Sequence, residues 1–228
     1  MSDSRVSRRR RWIPVLVLAV ALYVIVRAAN TSQGDSSAPA EGGSATPTRS
    51  AHPSTPSGTA SATVSSSYDP ADYASQVRSR ARQTGVSAQL LMAILYNESY
   101  KPHVPSLERA WQKYKPDAAF GIADMHRATF DEVRKGRDFA NRSWEELPDD
   151  PDLAIEAEAW YLHDLAVELP ADWTAPYTED ELLALGYNTG AGNMLAFARG
   201  VTPGSQARSY LDRLHANWAE AGQAVGGG

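Results

Sequence analysis

The stretch Leu90-Leu91-Met92-Ala93-Ile94-Leu95-Tyr96-Asn97-Glu98-Ser99 is an apolar run that ends in one carboxylate and a hydroxyl. As a helix it places Leu91, Ile94, Leu95 and Glu98 at i, i+3, i+4 and i+7, so the carboxylate lies on the stripe that faces a core. Desolvation there raises a carboxyl's pKa towards neutrality, the state a general acid needs near pH 7. A Glu at a helix end can also swing out to solvent, so its neighbours decide which reading holds.

Those neighbours form a series of helical segments. Order is expected from Tyr68-Asp69-Pro70, followed by a short helix with Tyr73, Val77 and Ala81 at four-residue spacing and Gly85 as its stop. Ser87 is placed to cap the helix that carries Glu98. Leu107, Trp111 and Tyr114 stand at helical spacing before Pro116, and Ala128 to Val133 reads as helix up to Gly136. The Ser143-to-Glu146 and Thr178-to-Glu181 spacings are those of capping boxes. From Asp152, two apolar stripes (Leu153, Ala157, Trp160, Tyr161, Leu165 and Ile155, Ala159, Leu162, Ala166) predict a helix central to the core. A final helix shows Ala207, Tyr210, Leu211, Leu214 and Trp218 on one face. No alternating run bounded by a hairpin turn occurs, so the prediction is an all-α domain over residues 68–222, with a flexible tail at 223–228.

The N-terminal third is different. Arg8 to Arg11 precede an apolar run from Trp12 to Val26, closed by Arg27 and small residues, which describes either a secretory signal or an uncleaved anchor with its basic side inside. We take the anchor over residues 1–29, a membrane contact, with the rest of the chain exported. Residues 30–67 are Ser, Thr, Ala, Gly and Pro, a disordered linker by composition. The net charge of −5 and the position of the arginine cluster speak against nucleic acid. With no cysteine there is no disulfide framework or thiolate site, and no His-rich helical pattern supports a metal. Neither a metal nor an organic cofactor is expected, and the protein is expected to be a monomer.

Taken together, these segments resemble the soluble-type lytic transglycosylase (SLT) domain, a lysozyme-like family related to goose-type lysozymes. Leu91-Met92-Ala93-Ile94 to Glu98-Ser99 is similar to its helix ending in Glu-Ser, and Gly121-Ile122-Ala123-Asp124 loosely to its Gly-Leu-Met-Gln stretch. Asp152 to Leu162, Tyr187-Asn188-Thr189-Gly190 and Ser209-Tyr210-Leu211 follow in the family's order. The resemblance implies that Glu98 is the catalytic acid/base and that the substrate is peptidoglycan, cut between N-acetylmuramic acid and N-acetylglucosamine. It also implies that Ser99 lies near the sugar, that Tyr187 orients Glu98 or the reacting sugar, that Asn188 holds its turn, and that Tyr210 lines the cleft.

Two positions depart from the family pattern. Asp124 replaces a Gln and His126 a Met, both expected at the substrate. Because most glycosidases use two carboxylates, Asp124 is also a candidate water-activating base, which would make the protein a muramidase. A wall-binding protein without activity is the third reading.

Overall fold

Several helical segments in this chain start at side chains that accept from otherwise unpaired N–H groups. Asp69 accepts from Ala71 at 2.9 Å, Ser87 Oγ from Leu90 at 3.2 Å and Asp150 from Leu153 at 3.0 Å. Ser143 with Glu146, and Thr178 with Glu181, form the two reciprocal capping boxes that their spacing predicts. At the other end of the first helix, Gly85 adopts φ +77°, the left-handed conformation that terminates it.

The computed structural model describes residues 68–226; the N-terminal apolar segment and the linker at 30–67 lie outside these. A 3-10 turn at Pro70–Tyr73 leads into α1 (Ala74–Thr84), α2 (Ala88–Glu98) and α3 (Pro105–Gln112). Then come β1 (Ala119–Phe120), β2 (Met125–His126), α4 (Arg127–Val133) and a 3-10 turn at Trp144–Glu146. The chain ends with α5 (Pro151–Glu168), α6 (Glu179–Thr189), α7 (Ala191–Ala198) and α8 (Ser205–Gly226). Helix accounts for 65% of the described region and strand for 3%, so the all-α reading holds there.

Two expectations change. The stretch from Ala119 to His126 forms a two-stranded antiparallel ladder, Ala119 opposite His126 and Phe120 opposite Met125. Two residues per strand are too few for alternation to register, and the pairing follows from the tight turn at Gly121 to Asp124. The last helix also runs on to Gly226, beyond the boundary expected at 222, because Ala224 and Val225 still pack against the core and Arg78 Nη1 donates to Val225 O at 3.5 Å.

The core is built on α2 and α5. Residues Leu90 to Leu95 of α2 are fully buried, and α2 packs most extensively against α8, with α1, α5 and α6 around it. Helix α5 is buried on several sides, from Leu153 to Ala159 and at Leu162 and Leu165, as its two apolar stripes require. Arg80 fastens α1 to α5 through Asp152 at 2.6 Å and Glu156 at 2.5 Å. Trp144 anchors the small ladder: its indole N–H donates to Met125 O at 2.8 Å and its ring meets Phe120 edge-on at 5.3 Å. By contrast, the Leu107, Trp111 and Tyr114 face is exposed, and Gln112 is what α3 buries, donating to Trp144 O at 3.3 Å.

Gly121 opens the ladder turn at φ +74°, and a Cβ there would stand 2.9 Å from Leu147 O. Gly85 has a similar φ but open space around it. Gly85→Ala should therefore cost only the left-handed penalty, about 1–2 kcal/mol, whereas Gly121→Ala adds a backbone clash and should cost about 3 kcal/mol or more. Denaturant unfolding of the two variants checks the order.

Candidate active site

Glu98 is the last residue of α2, and its position on the inward stripe leaves it 8% exposed. Its Oε1 accepts the Tyr210 hydroxyl at 2.9 Å. Tyr210 belongs to α8 and is 2% exposed, and its own carbonyl accepts from Asn97 Nδ2 at 3.1 Å. Asn217, one further turn and more along α8, donates to Asn97 Oδ1 at 2.8 Å. The residue before the acid and the acid itself are thus both tied to α8.

Burial, and next to it the negative charge of Asp124, push the Glu98 carboxyl up to about 7. The Tyr210 hydrogen bond and the positive charges of Lys101 and Arg213 pull the other way. A carboxyl so placed keeps its proton up to neutral pH and can give it to a bound leaving group. Its anion is met by a hydroxyl already in place.

Asp124 sits on the turn between β1 and β2, and among the described residues it alone combines a side chain with a positive φ, +46°. Asp tolerates that conformation better than most residues. Its Oδ2 lies 2.6 Å from Lys101 Nζ, with the Tyr100 hydroxyl at 3.5 Å. Asp124 therefore acts on Glu98 as a fixed, paired charge. Tyr187 supports the same turn from α6: its hydroxyl donates to Ala123 O at 2.6 Å, and its ring packs against Tyr161 at 5.6 Å.

The residues singled out in the sequence take the following places. Glu98, Tyr210 and Asp124 converge electrostatically, and Tyr187 joins them through the turn. The hydroxyl that donates to Glu98 is that of Tyr210, a core residue, whereas the Tyr187 hydroxyl donates to Ala123 O. Ser99 caps α2, donating its hydroxyl to Tyr96 O at 2.8 Å, so its position is set by helix termination. Asn188 is exposed on α6; the turn after it is held by Thr189 Oγ1 on Leu185 O at 2.6 Å and Asn193 Nδ2 on Thr189 O at 2.8 Å. His126 Nδ1 pairs with Asp117 O at 2.8 Å, and the residue stands opposite Ala119 in the ladder.

Four residues with a part in this geometry were not anticipated. Asn97 and Lys101 flank Glu98, and Tyr100 follows its cap, so adjacency was the available signal. Glu158, fully buried within α5, was legible only as a carboxylate between Ala157 and Ala159 on the buried part of the helix. Among the described residues no group of His, Cys, Asp and Glu is arranged to hold a metal, and no helix is long and apolar enough to cross a membrane.

Two measurements follow from this geometry. Tyr210→Phe removes the bond that favours the Glu98 anion, so the Glu98 titration midpoint should move above about 7, read by carboxyl NMR. Glu98 also makes stability pH-dependent. Below the ordinary Glu value of 4.5 it is protonated in both folded and unfolded chains and costs nothing; as pH rises towards about 7 only the unfolded chain releases the proton, and stability falls. Glu98→Gln should therefore match the wild type near about pH 4 and exceed it by about 3 kcal/mol near about pH 8 in denaturant unfolding.

The transglycosylase SLT domain family matches residues 75–202, which is more than half of the 228-residue chain and takes in α2, the ladder, α5 and α6. No curated protein and no solved structure matches the chain. With a buried acid at the end of α2, and with the family's span covering most of the described helices, the chain belongs to the SLT transglycosylase family of the lysozyme-like superfamily, whose members act on peptidoglycan.

Proposed function

We propose that this protein is a lytic transglycosylase that cleaves the β-1,4 bond between N-acetylmuramic acid and N-acetylglucosamine, with Glu98 as its general acid and base. The observation that carries this reading is the Glu98 carboxyl itself, 8% exposed, held by Tyr210 and raised to about 7. Neutral Glu98 protonates the glycosidic oxygen, and the C1–O bond breaks with help from the sugar's N-acetyl group. The Glu98 carboxylate then takes the proton of the 6-hydroxyl, whose oxygen closes on C1 to give the 1,6-anhydro product. Glu98 ends the cycle protonated, and no water enters.

One carboxyl suffices for this sequence of proton transfers. The hydrolytic reading needs a second, free carboxylate to activate water, at a separation of about 6.5–9.5 Å in an inverting enzyme. Asp124, engaged by Lys101 at 2.6 Å, is a poor candidate for it and a good one for tuning Glu98.

Export is part of the proposal. The apolar run from Trp12 to Val26 serves as a single-pass anchor, or as a cleaved signal, with the 30–67 segment as the spacer that lets the domain reach the wall.

The test is to incubate the full chain with purified peptidoglycan and weigh the soluble products. Anhydro-terminated muropeptides are the expected result, and products one water heavier would transfer the assignment to a muramidase. Glu98→Gln should fold and lose activity by about two to four orders of magnitude; a variant cutting at the wild-type rate would remove Glu98 from the mechanism.

A further inference from the structure

Helix α8 carries, one turn beyond Tyr210, a cation that the proposed mechanism leaves unused. Arg213 stands at i+3 from Tyr210 and i+4 from Ser209, and helical side chains lean back over the preceding turn. Its guanidinium accordingly lies over the Tyr210 ring, with Cζ 5.5 Å from the centroid, and Nη1 donates to Ser209 Oγ at 3.3 Å. The same tyrosine gives its hydroxyl to Glu98 Oε1 at 2.9 Å. Guanidinium, ring and carboxyl stand in series, so Arg213 is one tyrosine and one hydrogen bond from the acid.

Arg213 is nonetheless exposed, and among the described residues no carboxylate pairs with it. Elsewhere on the domain Arg80, Arg109, Arg127, Arg134, Arg137 and Arg142 each meet an Asp or Glu. Of the two cations whose charge reaches Glu98, Lys101 is committed to Asp124 at 2.6 Å. Arg213 is the one with its fork of N–H donors still available, and that fork matches a carboxylate in a two-point contact.

The substrate of the proposed reaction supplies such an anion. Each N-acetylmuramic acid residue bears a lactyl arm on its ring. The arm ends in a carboxylate where the peptide stem has been removed, and continues into a stem with carboxylates of its own where it has not. Glu98 works at the bond to C1 of that sugar, so the arm is carried within one sugar ring of the acid.

We infer that Arg213 is a specificity residue for this arm, its guanidinium taking a carboxylate of the muramyl substituent and so fixing the sugar beside Glu98. The Tyr210 ring beneath it holds the guanidinium in place, which leaves less side-chain freedom to be lost on binding. Binding also covers one of the positive charges that oppose the proton on Glu98, which favours the acid form once substrate is seated. No bond is made or broken at Arg213.

The inference rests on the reading of Glu98 as the acid, and the test keeps the two apart. Calorimetry compares full-length Glu98→Gln with Glu98→Gln, Arg213→Gln on short soluble glycan fragments, stem-bearing or stripped to the lactyl carboxylate, each native and with its carboxylates amidated. With Arg213 present, native fragments should bind about ten to a hundred times more tightly than amidated ones, the range for hydrogen bonds to a charged group. Arg213→Gln should abolish that preference, and Arg213→Lys, which keeps the charge without the fork, should recover part of it. Loss confined to stem-bearing fragments assigns a stem carboxylate; loss with stripped fragments as well assigns the lactyl one. A preference that survives Arg213→Gln, or that is missing with Arg213 in place, overturns the inference. Products released from intact peptidoglycan by Glu98→Gln would instead strike the reading of Glu98.

Discussion

The hydrogen bond from Tyr210 to Glu98, 2.9 Å long and buried, joins the end of α2 to α8 across 112 residues of chain. Everything distinctive about the site depends on it. Without a donor, a carboxyl at 8% exposure would be raised further by burial and by Asp124, and its anion would have no partner on the core side. Asn97 and Asn217 repeat the same joint one residue earlier, so that the acid's backbone and its side chain are both fixed relative to α8. The extensive packing of α2 on α8 gives these bonds a rigid support.

Opposite this joint stands the turn between β1 and β2, a segment too short to be stable alone. It is held from three directions: Trp144 on Met125, Tyr187 on Ala123 and Lys101 on Asp124. The left-handed backbone at Asp124 and the close approach of Gly121 to Leu147 are tolerated because those contacts over-determine the turn. The result is a negative charge kept near a buried acid and balanced by a lysine, which adds to burial in holding the proton on Glu98.

Much of the fold was readable locally. Ser87, Asp150 and the Ser143 and Thr178 boxes act where their spacing places them, because a cap is a contact between residues two or three apart. The centrality of α5 followed from apolar residues on more than one of its faces. The ladder escaped because two-residue strands have no period, and the end of α8 because its length is decided by what Ala224 and Val225 pack against. At the site, Glu98 was visible as a carboxylate on an apolar stripe, whereas the division of labour between Tyr187 and Tyr210 was not. Both tyrosines lie on helices of similar character, and only the crossing of α2, α6 and α8 decides which hydroxyl reaches the acid.

The sequence by itself therefore determined the helical series, its caps, the place of Glu98 on a buried stripe and the family to which the motifs belong, because each of these is written in spacings of a few residues. The tertiary structure decided the partners: Tyr210 for Glu98, Ala123 for Tyr187, Lys101 for Asp124, and the burial of Glu158 without a hydrogen-bond partner. Those choices depend on burial and on distances between elements far apart in the chain, and a carboxyl's proton affinity is set by both.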